Sequence, residues 1–266
     1  MRPRRGARSF VRMMKACLTS LIVALALVLG SAGAGQAQTC RQALVLGLDV
    51  SLSVDPGEFE LQREGLAQAL EDPSVLNAMM RGGAGYVTLA VFEWSGQYDQ
   101  SLLSDWQIIR SAEDLARVAA ALRQSPQRAA SGRTGIGAAM LFAQRLMAEQ
   151  RHCAVLTLDL SGDGVSNNGV APEDVRGRLA GDGIIVNALV IGQTSDQLFF
   201  GEIDALGLTR YYLENVIIGP GSFVETVIGF ENYAEAIRRK MLREISPVTA
   251  DVPAHNLPRL ARGVGP

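Results

Sequence analysis

Three short polar clusters hold the side chains of this sequence that could carry chemistry. Asp49-Val50-Ser51-Leu52-Ser53 alternates one carboxylate with two hydroxyls, Gly132-Arg133-Thr134-Gly135 adds another hydroxyl, and Asp163 stands in the turn Ser161-Gly162-Asp163-Gly164. Carboxylate, hydroxyl and water oxygens are hard donors, suited to Mg²⁺, Mn²⁺ or Ca²⁺ rather than to a thiolate-seeking metal. Taken singly, each cluster reads better as a turn or a helix cap, because Ser, Thr and Asp side chains bond the nearby backbone. Three of them in order, each at a strand end or a helix start, favour a cation site. His152 and His255 are isolated, and no His accompanies a Ser or Cys nucleophile as a triad requires. Asp159, inside an apolar run, reads as a paired structural carboxylate.

The elements that must position these clusters follow from periodicity. Apolar runs alternate with helix-period segments from Gln42 to about Ile245, the pattern of an α/β fold with a largely parallel sheet. Residues 43–48 are apolar at nearly every position, as a strand buried on both faces requires, and the run ends at Asp49. Asp55, Pro56 and Glu58 then mark a helix start with a capping box, and Phe59, Leu66 and Leu70 give that helix one apolar face. After a loop at Arg81-Gly82-Gly83, residues 86–94 form a second strand. Ser95-Gly96 turns toward an antiparallel edge strand near residues 98–103. Residues 112–122 make a short helix, and Ser131-Gly132-Arg133 opens onto Thr134. Beyond it Ile136, Met140, Ala143 and Met147 recur at helical spacing. A strand over 154–160 leads to Asp163, followed by a helix over 172–179 and a buried strand over 184–191. Tyr211-Tyr212 and Val216-Ile217-Ile218 fit either strand or packed loop, while Tyr233, Ile237, Met241 and Ile245 mark a final helix.

Ligands of open parallel sheets bind at the carboxyl ends of the strands, near the point where strand order reverses. All three clusters fall at such places. Glu93, Trp94 and Tyr98 are expected near the same rim, as partner contacts or as hairpin packing. Asn167 and Asn168 either shape the loop after Asp163 or simply form its turn.

The N-terminus bounds the compartment. Arg2, Arg4, Arg5, Arg8, Arg12 and Lys15 precede an uncharged apolar run over 18–29 and then small residues over 31–37. This is the order of a secretory signal peptide, residues 1–37, cleaved after Ala34 or Ala37. A retained anchor needs about 20 apolar residues, which the run reaches only if the Gly/Ala segment is counted; no other segment is long enough. One domain over 38–246 follows, then a Pro-, Ala-, Gly- and Arg-rich tail over 247–266 that is expected to be disordered. Removing the signal takes six of the 25 basic residues and none of the 27 acidic ones, leaving 19 minus 27, or −8. Nucleic acid is therefore disfavoured as a partner. Cys17 lies in the signal, and the remaining pair, Cys40 and Cys153, suggests one disulfide in an exported, periplasmic or secreted chain.

Asp49, Ser51 and Ser53, with Thr134 and Asp163, resemble the metal-ion-dependent adhesion site (MIDAS) of the von Willebrand factor A family. Phe92-Glu93-Trp94-Ser95-Gly96, Ser161-Gly162-Asp163-Gly164 and Gly219-Pro220-Gly221-Ser222-Phe223 are similar to a bacterial exported branch of that family, a domain of unknown function. Many relatives carry Ser or Thr immediately before the late aspartate, where this sequence has Gly162. The resemblance covers about 42–245. It implies a doubly wound α/β fold with helices on both faces of a mostly parallel sheet and one antiparallel edge strand.

The resemblance also implies one divalent cation, Mg²⁺ first and Mn²⁺ or Ca²⁺ as alternatives. Ser51 and Ser53 would ligate directly, Thr134 directly or through water, and Asp49 and Asp163 mainly through waters. A carboxylate of a protein or peptide partner would complete the coordination. In the family fold the strands after Cys40 and Cys153 are neighbours, which suits a disulfide between these two cysteines. The expectation is a binding module and not an enzyme. The alternatives are a metal-dependent hydrolase, in which Asp49 or Asp163 activates water, and a purely structural metal. No base, nucleophile or phosphate loop accompanies the metal residues to support a hydrolase.

Overall fold

The computed structural model describes residues 39–81, 85–126, 132–194 and 203–245. The expected signal segment, the tail with His255, the Gly82-Gly83 loop and Ser131 lie outside the described residues. The elements are β1 (Cys40–Asp49), α1 (Pro56–Glu71), α2 (Pro73–Arg81), β2 (Tyr86–Trp94), β3 (Gln100–Ile109), α3 (Ala112–Gln124), α4 (Ile136–Met147), β4 (Val155–Gly162), α5 (Pro172–Gly181), β5 (Ile184–Gly192), α6 (Ala205–Asn215), β6 (Val224–Ile228) and α7 (Tyr233–Ile245).

The six strands form one sheet in the order β3-β2-β1-β4-β5-β6. Only β3 runs antiparallel, against β2 at the edge; the other pairs are parallel. The chain builds outward from β1 in one direction and then returns to build outward from β4 in the other. The reversal point thus lies between β1 and β4, the two central strands that end in Asp49 and lead to Asp163.

Alternation along β1 divides the core into two layers. Leu44, Leu46 and Leu48 pack with apolar residues of α1, α2, α3 and α7, whereas Ala43 and Val45 pack with those of α4, α5 and α6. Gly47 is required where β1 passes between β2 and β4, since a Cβ there would lie 2.7 Å from the Phe92 ring and 2.8 Å from Leu160 Cδ2. Helix α1 starts as its sequence dictates. Asp55 Oδ1 accepts from Glu58 N at 2.9 Å, and Glu58 Oε2 accepts from Asp55 N at 2.9 Å, a reciprocal cap that satisfies two otherwise unpaired donors.

At the amino edge of the sheet, Cys40 and Cys153 are joined in a disulfide with their Cα atoms 4.5 Å apart. The bond staples the start of β1 to the residues just before β4, and Ala154 N donates to Cys40 O at 3.0 Å beside it. Tyr211-Tyr212 proves to be helical, within α6, and Ile218 forms only an isolated bridge with Val186. Helix α2 and strand β6 appear where periodicity gave no element. Among the described residues no helix is long and apolar enough to cross a membrane.

Candidate metal centre

The carboxyl ends of β1 and β4 bring the sequence-predicted donors together. Asp49 closes β1, and the chain leaving it is pinned by Val50 N, which donates to Trp94 O at 2.8 Å. It then folds back so that Ser51 N donates to Asp49 Oδ1 at 2.8 Å. Ser51 Oγ and Ser53 Oγ are 3.0 Å apart, and Ser53 Oγ donates to Asp163 Oδ1 at 2.7 Å. Thr134 lies next to the turn after β4: a Cβ on Gly164 would lie 3.7 Å from Thr134 Oγ1. Ser53, Thr134 and Asp163 line one cleft.

Thr134 is gripped through its backbone. Thr134 N donates to Asn167 Oδ1 at 2.9 Å, while Thr134 O accepts from Asn167 N at 2.8 Å. Asn168 Oδ1 accepts from Gln97 N at 2.7 Å, tying the same loop to the β2–β3 turn. The asparagines therefore shape the site as well as the turn. Helix α4 begins two residues after Thr134 with no side-chain cap at Gly135, which leaves the positive end of its dipole beside the cluster.

The electrostatics of the cluster call for a positive charge. Asp49 is wholly buried, and its Oδ2 has no hydrogen-bond partner. Burial, and then the nearby Asp163 carboxylate, hold the Asp49 carboxyl well above the usual carboxylate range despite the hydrogen bonds from Ser51. Burial likewise pushes Asp163 up to about 6, with Glu58 adding to the shift. An orphaned buried carboxylate oxygen beside a second carboxylate, ringed by hydroxyls, fits a hard divalent cation.

Two further side chains support the cluster, and both escape a reading by local pattern. Gln62 is fully buried on α1, and its Nε2 donates to Asp49 O at 2.9 Å. A polar residue among Phe59, Leu66 and Leu70 on the helix's apolar face was the available signal. The second is Tyr212 of α6, whose hydroxyl donates to Gly164 O at 3.3 Å. A Cβ on Gly162 would lie 2.5 Å from that hydroxyl and 3.1 Å from Asp49 Oδ2. Gly162 thus leaves room for a buried tyrosine directly behind the site.

The expected rim is corrected in part. Tyr98 is 86 % exposed in the β2–β3 turn, but Glu93 is 3 % and Trp94 0 % exposed. Strand β2 lies inside the sheet with helices on both faces, so consecutive residues at its end point into the two core layers, and Trp94 packs beneath α4 and α6. Asp159 is the structural carboxylate expected of it. Its Oδ1 and Glu244 Oε1 each lie 2.5 Å from Lys240 Nζ, and all three side chains are buried. His152 sits at the opposite edge, with Nε2 3.9 Å from Cys153 Sγ.

Comparisons with known proteins agree with this architecture. The proximal thread matrix protein 1 of the mussel byssus, in a structure with a zinc-occupied MIDAS motif, shares 16% identity with a TM-score of 0.56 over 77% of this chain and 48% of that one. The von Willebrand factor type A protein of Catenulispora acidiphila gives 14%, 0.54, 77% and 43%. The pilus adhesin SpaC of Lactobacillus rhamnosus GG gives 14%, 0.58, 79% and 31%. The chain therefore spans less than half the length of these structures, and at such identity the likeness establishes the fold. No curated protein sequence matches. The family described as "Protein of unknown function (DUF1194)" matches residues 39–249, so the chain belongs to the DUF1194 family and folds as a von Willebrand factor A domain.

Proposed function

We propose that this protein is an exported, divalent-cation-dependent binding module that recognises a protein or peptide through a carboxylate of the partner. The single observation that carries the reading is the chain of short contacts linking Asp49, Ser51, Ser53 and Asp163, with Thr134 lining the same cleft and Asp49 Oδ2 buried without a hydrogen-bond partner. These five residues would hold the cation. Ser51 and Ser53, with Thr134, would supply neutral hydroxyls, and Asp49 and Asp163 would act mainly through waters. A bound cation supplies an incompletely neutralised charge, which attracts an external anion. The exposed Tyr98 is a candidate rim contact. Mg²⁺ is the expected occupant, with Mn²⁺ and Ca²⁺ as alternatives; the zinc-occupied motif of the mussel protein supports a divalent ion in general. Binding is favoured over hydrolysis because His152 stands at the far edge of the sheet and the serine hydroxyls of the cluster are held by one another and by Asp163.

The test is calorimetric titration of Mg²⁺ and Mn²⁺ into the parent and Asp49→Ala proteins, alongside circular dichroism. The parent should bind one equivalent and the variant none, with the fold retained. Equal binding by both, or none by the parent up to millimolar metal, overturns the reading.

A further inference from the structure

The cleft that holds Ser53, Thr134 and Asp163 extends well past them, with a volume of about 730 Å³. One wall of that continuation is apolar, formed by Leu61 of α1, Ile203 just before α6 and Ile228 at the end of β6, with Ile191 of β5, Leu208 of α6 and Phe230 after β6 largely buried behind them. Leu61 and Ile203 are each 46 % exposed and Ile228 is 38 % exposed. Apolar side chains left open to water in a concave site favour an apolar occupant.

Two carboxylates, Glu58 and Glu231, also line this cleft. Among the described residues neither forms a salt bridge. A purely acidic ligand drawn to a cation would be repelled by this flank. The cleft therefore combines a cation-directed acidic end, an apolar wall and an uncompensated negative flank.

The geometry points to a partner segment of mixed chemistry: a carboxylate for the cation, an apolar side chain beside it for the Leu61–Ile228 wall, and a basic group for Glu58 and Glu231. This rests on the metal–carboxylate reading above and adds what that reading leaves open, the class of sequence selected.

Three dipeptides separate the two ideas: N-acetyl-Lys-Leu, N-acetyl-Lys-Gly and N-acetyl-Glu-Leu, each with a free terminal carboxylate. They are titrated into the full chain by NMR, with Mg²⁺ and with EDTA. N-acetyl-Lys-Leu should bind tightest. Losing the leucine side chain should weaken binding about tenfold, and exchanging Lys for Glu about threefold, with the second difference fading at high salt. Leu61→Ser with Ile228→Ser should erase the leucine preference. Glu58→Gln with Glu231→Gln should erase the lysine preference, and Gln at 58 keeps the capping box of α1. Equal Mg²⁺-dependent affinity for all three probes overturns this inference and leaves the metal–carboxylate reading standing. Absence of any Mg²⁺-dependent binding overturns both.

Discussion

Gly162 and Tyr212 offer a quantitative check on how the floor of the site is built. In Gly162→Ala the new methyl would sit 2.5 Å from the Tyr212 hydroxyl, 3.1 Å from Asp49 Oδ2 and 3.4 Å from Trp94 Cζ2. All three neighbours are fully buried, so none can retreat into water. Gly162 does not have a positive φ, which leaves crowding as the cost, about 1–3 kcal/mol for an overpacked core methyl. Tyr212→Phe removes the nearest atom and gives up one long hydrogen bond, to Gly164 O at 3.3 Å, for about 0.5–1.5 kcal/mol. In the double variant the methyl enters the space that the hydroxyl vacates. The two changes should therefore fall short of additivity by about 1–2 kcal/mol. Urea unfolding of the four proteins in EDTA measures this directly. Additivity within about 0.5 kcal/mol would show that the tyrosine does not hold position 162 to glycine.

Two other outcomes follow from buried chemistry elsewhere. The Cys40–Cys153 disulfide spans a sequence separation of 113, for which loop entropy gives about 4–5 kcal/mol; the Cys40→Ala, Cys153→Ala protein should lose stability on that order in urea, and a loss below about 1 kcal/mol would contradict the entropic argument. Glu244 is pushed up to about 8, by burial first and then by Asp159, against the pull of Lys240. The folded chain thus keeps a proton that the unfolded chain releases near 4.5, so the contribution is full below about pH 4.5, declines through the window to about 8 and is absent above it. In EDTA the parent should lose stability from pH 5 to pH 8 more steeply than Glu244→Gln, and parallel curves would refute the assignment.

The parts of this fold legible in sequence are those whose signal is local. Strands β1, β2, β4 and β5 are buried on both faces and read as continuous apolar runs, and the Asp55–Glu58 cap announces α1. The five candidate donors stand out in sequence because each lies at or just past a strand end or a helix start. Strand β6 is not legible: it has only five residues at the sheet edge, and just one of them, Val227, is buried. Helix α6 escaped because Leu208 and Tyr212 are its main buried side chains. Glu93 and Trp94 were placed at the rim from their position at a strand end; only the packing of helices over both faces of β2 shows otherwise. The partnership of Gly162 with Tyr212 joins residues 50 positions apart, and no periodicity records it.

The staple between Cys40 and Cys153 has a mechanical meaning. The described chain starts at this edge and also finishes there, since Arg41 Nη1 donates to Ile245 O at 2.8 Å, while the candidate metal donors crown the opposite edge. A pull on the donor face that is resisted at the lower edge would run lengthwise along β1 and β4. Their parallel ladder, from Gln42 opposite Val155 to Leu48 opposite Ser161, would bear that load in shear, with its hydrogen bonds strained together and not peeled one at a time. The covalent link at the lower end would keep the two strands from sliding past each other under that load.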